Sequence, residues 1–249
     1  MTGKVYLVGA GPGAPDLITV RGAELLKRAE IVFHDALVHT ETLALAQNAK
    51  KVLVGKRCSR ISTDQRFINR CLIEAAHQHK IVVRLKGGDP SLFGRAQEEI
   101  AALRKAGIQY EIVPGVTAAL AASAELAVSL TQRGVSRSVT FVTPRVGHGE
   151  ADSDWADAVM RADTAVLYMG AGQAAAIARA LLARGLPSST PVCIVERASL
   201  SDSRRIDCIL SELIRAEAWG IAGPAVIVLG EVLKQAEEQN TQRPISASA

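Results

Sequence analysis

The sequence predicts an α/β protein of two domains. Three observations carry this: short strand-like runs alternate with amphipathic helical patterns from end to end, most of the first-half runs lead into a loop and then a helix-like segment, and Pro114-Gly115 interrupts the series near its middle.

In the first half, strands are expected at residues 5–8, 31–33, 51–54, 81–85 and 110–113, each a short apolar or β-branched run bounded by breakers. A helical pattern starts only near Thr19. Ser62-Thr63-Asp64-Gln65 has capping-box spacing ahead of a helical run over 67–78, and residues 95–106 read as a helix closed by Gly107. The alanine-rich segment 117–126 reads as a helix crossing to the second half. There, strands are expected at 138–143, 164–168, 192–195, 204–207 and 226–229, separated by helices such as 174–184. The expected domains are thus 1–114 and 115–235, with a cleft between them and a polar, flexible tail over 236–249. No repeat of 20 to 50 residues is evident.

Composition narrows the function. The 249 residues are 48% apolar, enough to bury a sizeable core, and no apolar run reaches the roughly 20 residues that span a bilayer. Met1-Thr2-Gly3-Lys4 leads straight into the first strand, so no signal peptide is expected and the cytoplasm is the expected compartment. The net charge of +4 suits a small polyanionic substrate as well as nucleic acid, and the 4% aromatics are fewer than a nucleic-acid binder with stacking platforms usually carries. Cys58, Cys71, Cys193 and Cys208 are scattered, which indicates neither a zinc site nor a disulfide framework.

The most telling stretch is Ile81-Val82-Val83-Arg84-Leu85-Lys86-Gly87-Gly88-Asp89-Pro90. Glycines at a strand's carboxyl end let backbone approach a ligand, and α/β sheets bind small molecules outside such ends. Asp89 adds a fixed acceptor; the competing reading is an ordinary strand-to-helix turn. Gly9-Ala10-Gly11-Pro12-Gly13-Ala14 matches the dinucleotide pattern G-x-G-x-x-A, with Asp35 at the next strand's end. In that fold, however, the helix starts inside the glycine motif, whereas Pro12 and Pro15 bias their neighbours away from helix. An extended loop for a ligand other than a pyrophosphate is favoured.

Other strand ends carry charge. Asp35, after His34, is a general base if it faces the site, or else a loop acid. Lys56, Arg57 and Arg60 follow the third strand, and Arg95, Arg133 and Arg137 sit in later loops. Such cations can hold substrate carboxylates, Arg through a bidentate fork, or form solvated basic loops. Thr117 reads as a helix N-cap and Met169 as packing, unless Met169 lines an apolar cofactor pocket.

Taken together, these motifs resemble the uroporphyrinogen-III C-methyltransferase family of tetrapyrrole methylases, from Val5 to about Leu233. The resemblance is carried by Val8-Gly9-Ala10-Gly11-Pro12-Gly13, Val54-Gly55-Lys56-Arg57, Arg84-Leu85-Lys86-Gly87-Gly88-Asp89-Pro90 with Phe93-Gly94-Arg95, Val113-Pro114-Gly115-Val116-Thr117-Ala118, Tyr168-Met169-Gly170 and Gly223-Pro224-Ala225. It implies a class III methyltransferase of two α/β domains, a homodimer acting on a small-molecule tetrapyrrole without nucleic acid, membrane or metal. The implied reaction uses S-adenosylmethionine to methylate uroporphyrinogen III at C2 and C7, giving precorrin-2 and S-adenosylhomocysteine. By position, the resemblance assigns cofactor binding to Pro12, Gly87, Gly88, Asp89, Leu92, Thr117, Ala118, Met169 and Ala198. Asp35 and Lys56 fall on the proposed acid-base pair, and Arg57, Arg95, Arg133 and Arg137 are the expected substrate contacts. The chain departs from the family at His34, at Glu196-Arg197-Ala198-Ser199 and at Pro144-Arg145, and no fused dehydrogenase-chelatase module is expected. The rival readings are a later precorrin methyltransferase, a dinucleotide-dependent oxidoreductase and a non-catalytic anion-binding module.

Overall fold

A computed structural model of the chain describes residues 2–54, 65–146 and 153–234. The chain divides into two units, Met1–Ala118 and Ala119–Ala249, each built round its own five-stranded sheet.

The first unit runs β1 (Lys4–Gly9), α1 (Val20–Arg28), β2 (Ile31–His34), α2 (Thr40–Ala44), β3 (Lys50–Leu53), α3 (Gln65–Gln78), β4 (Ile81–Lys86), α4 (Ala96–Lys105) and β5 (Gln109–Val113). Its sheet is entirely parallel in the order β3-β2-β4-β1-β5. Parallel strands must be covered on both faces, which is why β1 and β4 read as continuous apolar runs. On one face Val5, Leu7 and Val82 pack with Leu72 of α3 and Ile100 and Leu103 of α4. On the other, Val8, Val83 and Leu85 pack with Leu25 and Leu26 of α1. Each fully buried leucine contributes about 1.5–3 kcal/mol.

Local signals set the helix ends. Thr19 caps α1, its hydroxyl oxygen accepting the Gly22 amide at 3.2 Å, and Lys27 and Arg28 occupy the last turn, where the helix dipole favours cations. The helix therefore starts beyond the glycine motif, as its prolines predict. α4 carries Glu98 and Glu99 in its first turn and Arg104 and Lys105 in its last, and Gly107 follows with φ +68°. Of the expected capping box, Ser62, Thr63 and Asp64 lie outside the described residues, as does the tail from residue 235.

The second helical crossing is α5 (Ala118–Glu125), followed by β6 (Val139–Val142), α6 (Trp155–Met160), β7 (Thr164–Tyr168), α7 (Ala174–Ala183), β8 (Pro191–Glu196), β9 (Arg204–Ile209), a 3-10 run over Glu212–Trp219 and β10 (Ala225–Gly230). The order is β6-β7-β10-β8-β9, with β6 and β7 parallel and the other neighbours antiparallel. The strands fall where the sequence places them, but β8 and β9 are not separated by a helix. They form a hairpin, because Arg197, Leu200 and Ser203 close successive turns through Leu200 N to Arg197 O and Ser203 N to Leu200 O, each 3.0 Å.

Candidate functional site

All five strands of the first sheet are parallel, so the loops that follow them gather at one edge. Central strands β1 and β4 are neighbours whose following strands, β2 and β5, lie on opposite sides of the pair. Such a switch point opens a crevice at the carboxyl ends. At this edge stand Pro12 after β1, Asp35 after β2, Gly87 to Leu92 after β4, and Thr117 and Ala118 beyond β5. Leu37, Leu53 and Phe93, all large and exposed, add apolar surface there.

Three of these loops are laced together by backbone. Gly88 N donates to Gly11 O at 2.8 Å and Gly11 N to Gly88 O at 3.3 Å, while Ala10 N donates to Lys86 O at 2.7 Å. A Cβ on Gly9 would lie 2.6 Å from Gly115 Cα and 2.7 Å from Gly88 O. Asp89 completes the lacing, its Oδ2 accepting the Gly115 amide at 2.8 Å and its Oδ1 the Ser91 amide at 2.7 Å. The amides of Gly11 and Gly88 are thus spent on each other, the opposite of a phosphate cradle. The two glycines after β4 also differ in their task. Gly88, at φ +67°, serves backbone-to-backbone approach, whereas a Cβ on Gly87 would meet only Leu37 Cβ, at 3.3 Å.

Beneath this edge lies a charge cluster that the sequence reading did not assign. Alternation along β4 puts Val82, Arg84 and Lys86 on the face covered by α3 and α4. Arg84 Nη2 donates to Asp35 Oδ1 at 2.6 Å and its Nε to Glu99 Oε1 at 2.9 Å; Lys86 Nζ donates to both oxygens of Glu99 at 3.1 Å. The side chains of Arg84, Lys86 and Glu99 are 3, 4 and 0% exposed, that of Asp35 27%. Burial opposes the Arg84 charge, but Asp35 and Glu99 more than offset it and hold its pKa above the ordinary value. Lys86 goes the other way: burial, with the Arg84 charge beside it, pushes its pKa down against the pull of Glu99. An arginine and a lysine two residues apart in an apolar strand were the available signal; their partner Glu99, 13 residues past Lys86, was not identifiable without the fold.

Other expected residues divide. Leu92 is half-buried and donates its amide to Asp89 O at 3.3 Å; Pro12, Thr117 and Ala118 are half-buried at the same edge. Arg95 has left-handed backbone (φ 55°) and forms a fork on Glu98 at 2.6 and 2.9 Å. Lys56 and Arg57 lie outside the described residues.

In the second unit, Met169 follows β7 and Ala198 follows β8, strands that run in the same direction, so both sit at one end of that sheet. Met169 is 44% exposed with φ 55°, and Arg197 and Ser199 flank a buried Ala198 at φ 52° and 73°. Left-handed backbone at non-glycine residues costs on the order of 1–3 kcal/mol each and clusters at functional sites. Glu125 holds this loop from α5, accepting from the Ser199 amide and from Ser203 Oγ. Glu196, buried at the end of β8, accepts the amides of Ala222 and Gly223 at 2.9 and 2.5 Å. Arg133 and Arg137, expected as substrate contacts, lie near the start of β7. Arg137 N and Ser138 N donate to Asp163 Oδ2 at 2.8 and 3.0 Å, just before β7 starts. The turn bearing Arg133 is pinned there too, through Ser136 Oγ to Thr164 Oγ1 at 2.9 Å. Both arginines follow from connections into the amino ends of β6 and β7, the opposite end from Met169 and Ala198.

Among the described residues no cluster of three or more His, Cys, Asp or Glu side chains could hold a metal, and no helix is long and apolar enough to cross a membrane. Residues 4–214 match the family described as Tetrapyrrole (Corrin/Porphyrin) Methylases, and the chain belongs to it. It is 43% identical to the uroporphyrinogen-III C-methyltransferase of Pseudomonas aeruginosa over 252 residues, covering the whole of both chains. It is also 43% identical over 249 residues to the siroheme synthase of Chromobacterium violaceum, spanning 99% of its own length and 53%, about half, of that protein. Among solved structures, the uroporphyrin-III C-methyl transferase of Thermus thermophilus complexed with S-adenyl homocysteine matches with a TM-score of 0.83 and 41% identity, over 94% of this chain and 100% of that one. A cobalt precorrin-4 methyltransferase matches with a TM-score of 0.81 at 28% identity, covering 92% of this chain and 95% of that one.

Proposed function

We propose that the chain transfers methyl groups from S-adenosylmethionine to C2 and C7 of uroporphyrinogen III, giving precorrin-2 for siroheme synthesis, cobalamin synthesis or both. The observation that carries this reading is the strand-end edge of the first unit, where Gly87 lies beside exposed Leu37 and Asp35 is held at one oxygen by buried Arg84. The full-length relative named for this reaction supports it.

The residues present fit such a cofactor. A glycine-bearing strand-end edge backed by fixed loops suits a compact, folded nucleoside, and the amides of Gly11 and Gly88 are engaged with each other rather than turned out as a phosphate cradle. Pro12, Gly87, Leu92, Thr117 and Ala118 are proposed to hold it, with Met169 and Ala198 as further contacts and Gly88 and Asp89 keeping the loops in place. S-adenosylmethionine, when bound, supplies an electrophilic methyl group on a sulfonium. The rest of the task falls to the protein: aligning a pyrrole carbon in line and excluding water. Leu37, Leu53 and Phe93 offer apolar surface for the pyrrole rings of the macrocycle. Arg84 occupies Oδ1 of Asp35, leaving Oδ2 to stabilise the positive charge built on the ring as the methyl group arrives and to accept the proton that the macrocycle then loses from a ring nitrogen or meso carbon, the methylated carbon itself being quaternary. Lys56 is proposed as its partner, and Arg57, Arg95, Arg133 and Arg137 as contacts to the substrate carboxylates. The enzyme is proposed to act as a cytoplasmic homodimer.

Parallel calorimetry with S-adenosylhomocysteine and NAD tests the cofactor assignment. Binding of the first alone is expected; binding of NAD alone would overturn the reading and restore the oxidoreductase.

A further inference from the structure

Four charges in a row lie where the rest of the same layer is apolar. On the α3–α4 face of the first sheet, Val5, Leu7 and Val82 pack against Leu72, Ile100 and Leu103, yet the end of β4 carries Arg84 and Lys86 against Glu99. Buried ion pairs are poor stabilisers, and apolar side chains of the same volume commonly serve as well or better. Their retention calls for another account.

Geometry supplies one. The signs alternate along Asp35, Arg84, Glu99 and Lys86, and only Asp35 reaches the surface. The guanidinium is planar, so its Nε contact to Glu99 at 2.9 Å fixes the plane in which its Nη2 meets Asp35 at 2.6 Å. Arg84 Nη1 also donates to Leu85 O at 3.2 Å, which locks the fork further. Glu99 is itself held in place: Oε1 accepts from Arg84, from Lys86 at 3.1 Å and from Gln65 Nε2 at 3.3 Å, and Oε2 accepts from Lys86 at 3.1 Å. Gly94 leaves room for this cluster, since a Cβ there would lie 3.1 Å from Lys86 Cε.

We propose that Glu99 is a positioning residue of the methyl-transfer reaction, orienting the Asp35 carboxylate through Arg84, with Lys86 fixing Glu99 from the other side. The inference rests on the assignment of Asp35 as the group that receives the proton. Glu99 touches neither substrate nor cofactor in this scheme. Its effect must therefore pass through Asp35 and vanish when Asp35 does.

A double-mutant cycle on the full chain reads this directly. Glu99→Gln, nearly isosteric, turns an amide nitrogen toward one of its donors, and kcat is expected to fall roughly 10- to 100-fold while both KM values and S-adenosylhomocysteine affinity stay within about 3-fold. In an Asp35→Asn background the same change is expected to cost less than about 2-fold, because the path has already been cut. Losses that multiply would overturn the proposal and leave Glu99 as scaffolding. If Asp35→Asn alone keeps full kcat, the role of Asp35 fails first, and the inference fails with it. Should Glu99→Gln not fold, Lys86→Met takes its place. A kcat loss that disappears on Asp35→Asn supports the chain of contacts, and an unchanged kcat overturns it.

Discussion

Asp89 Oδ2 accepts the Gly115 amide at 2.8 Å, tying the loop after β4 to the loop after β5. Oδ1 accepts the Ser91 amide, so the carboxylate is engaged on both oxygens with the protein's own backbone. Asp89→Asn turns an NH2 toward one of those amides, and loss of a hydrogen bond to a charged group costs about 1.5–3 kcal/mol. The expected result is a lower urea midpoint with no ligand present. A ligand-only role for Asp89 predicts an unchanged midpoint.

Gly9 and Gly87 should respond in opposite ways to alanine. At Gly9 the added carbon would lie 2.6 Å from Gly115 Cα, backbone that cannot step aside, so Gly9→Ala should lower the melting temperature, with overpacking costing about 1–3 kcal/mol or more. At Gly87 the added carbon meets only Leu37, so Gly87→Ala should melt near the parent and weaken S-adenosylhomocysteine binding in calorimetry. Equal melting temperatures for the two variants would contradict this division of labour.

Arg95→Ala should raise KM for the tetrapyrrole roughly 10-fold while shifting KM for S-adenosylmethionine far less. Its fork rests on Glu98, an exposed pair, and exposed pairs contribute little to stability. Unfolding midpoints should therefore barely move. Equal KM changes for both substrates would remove Arg95 from the substrate contacts.

Glu196 links β8 to the Ala222-Gly223 turn. Burial works against its charge, but the amides of Gly223 and Ala222, with Arg197 and Arg204 nearby, more than offset it and hold its pKa below the usual carboxylate value of 4.5. A depressed folded-state pKa stabilises above the unfolded value and is lost as pH falls through the folded one. Glu196→Gln should therefore cost stability near pH 7, and the gap between variant and parent should narrow as the pH drops below 4.5. A gap that is constant down to the acid limit would contradict the linkage.

The strands were legible because strand ends coincide with breakers: Gly9 closes β1, Gly87 follows β4 and Pro114 follows β5, each ending a largely apolar run. Pro12 and Pro15 also gave away the late start of α1. The charged layer under the site was hidden for a physical reason. Arg84 and Lys86 look like the solvated edge of a strand until Glu99 arrives from another element, and pairing across elements leaves no local pattern. The pairing of Gly88 was hidden in the same way, since its neighbour in space is Gly11, 77 positions earlier in the chain. The end of the second sheet to which Arg137 belongs depends on strand direction, which Asp163 reveals and spacing does not.

The central claim is methylation of a particular macrocycle, and mass measurement after incubation with uroporphyrinogen III and S-adenosylmethionine tests it most directly. The product should gain two methyl groups, with two S-adenosylhomocysteine released per macrocycle. No mass gain on uroporphyrinogen III, together with methylation of an already methylated precorrin, would contradict the account.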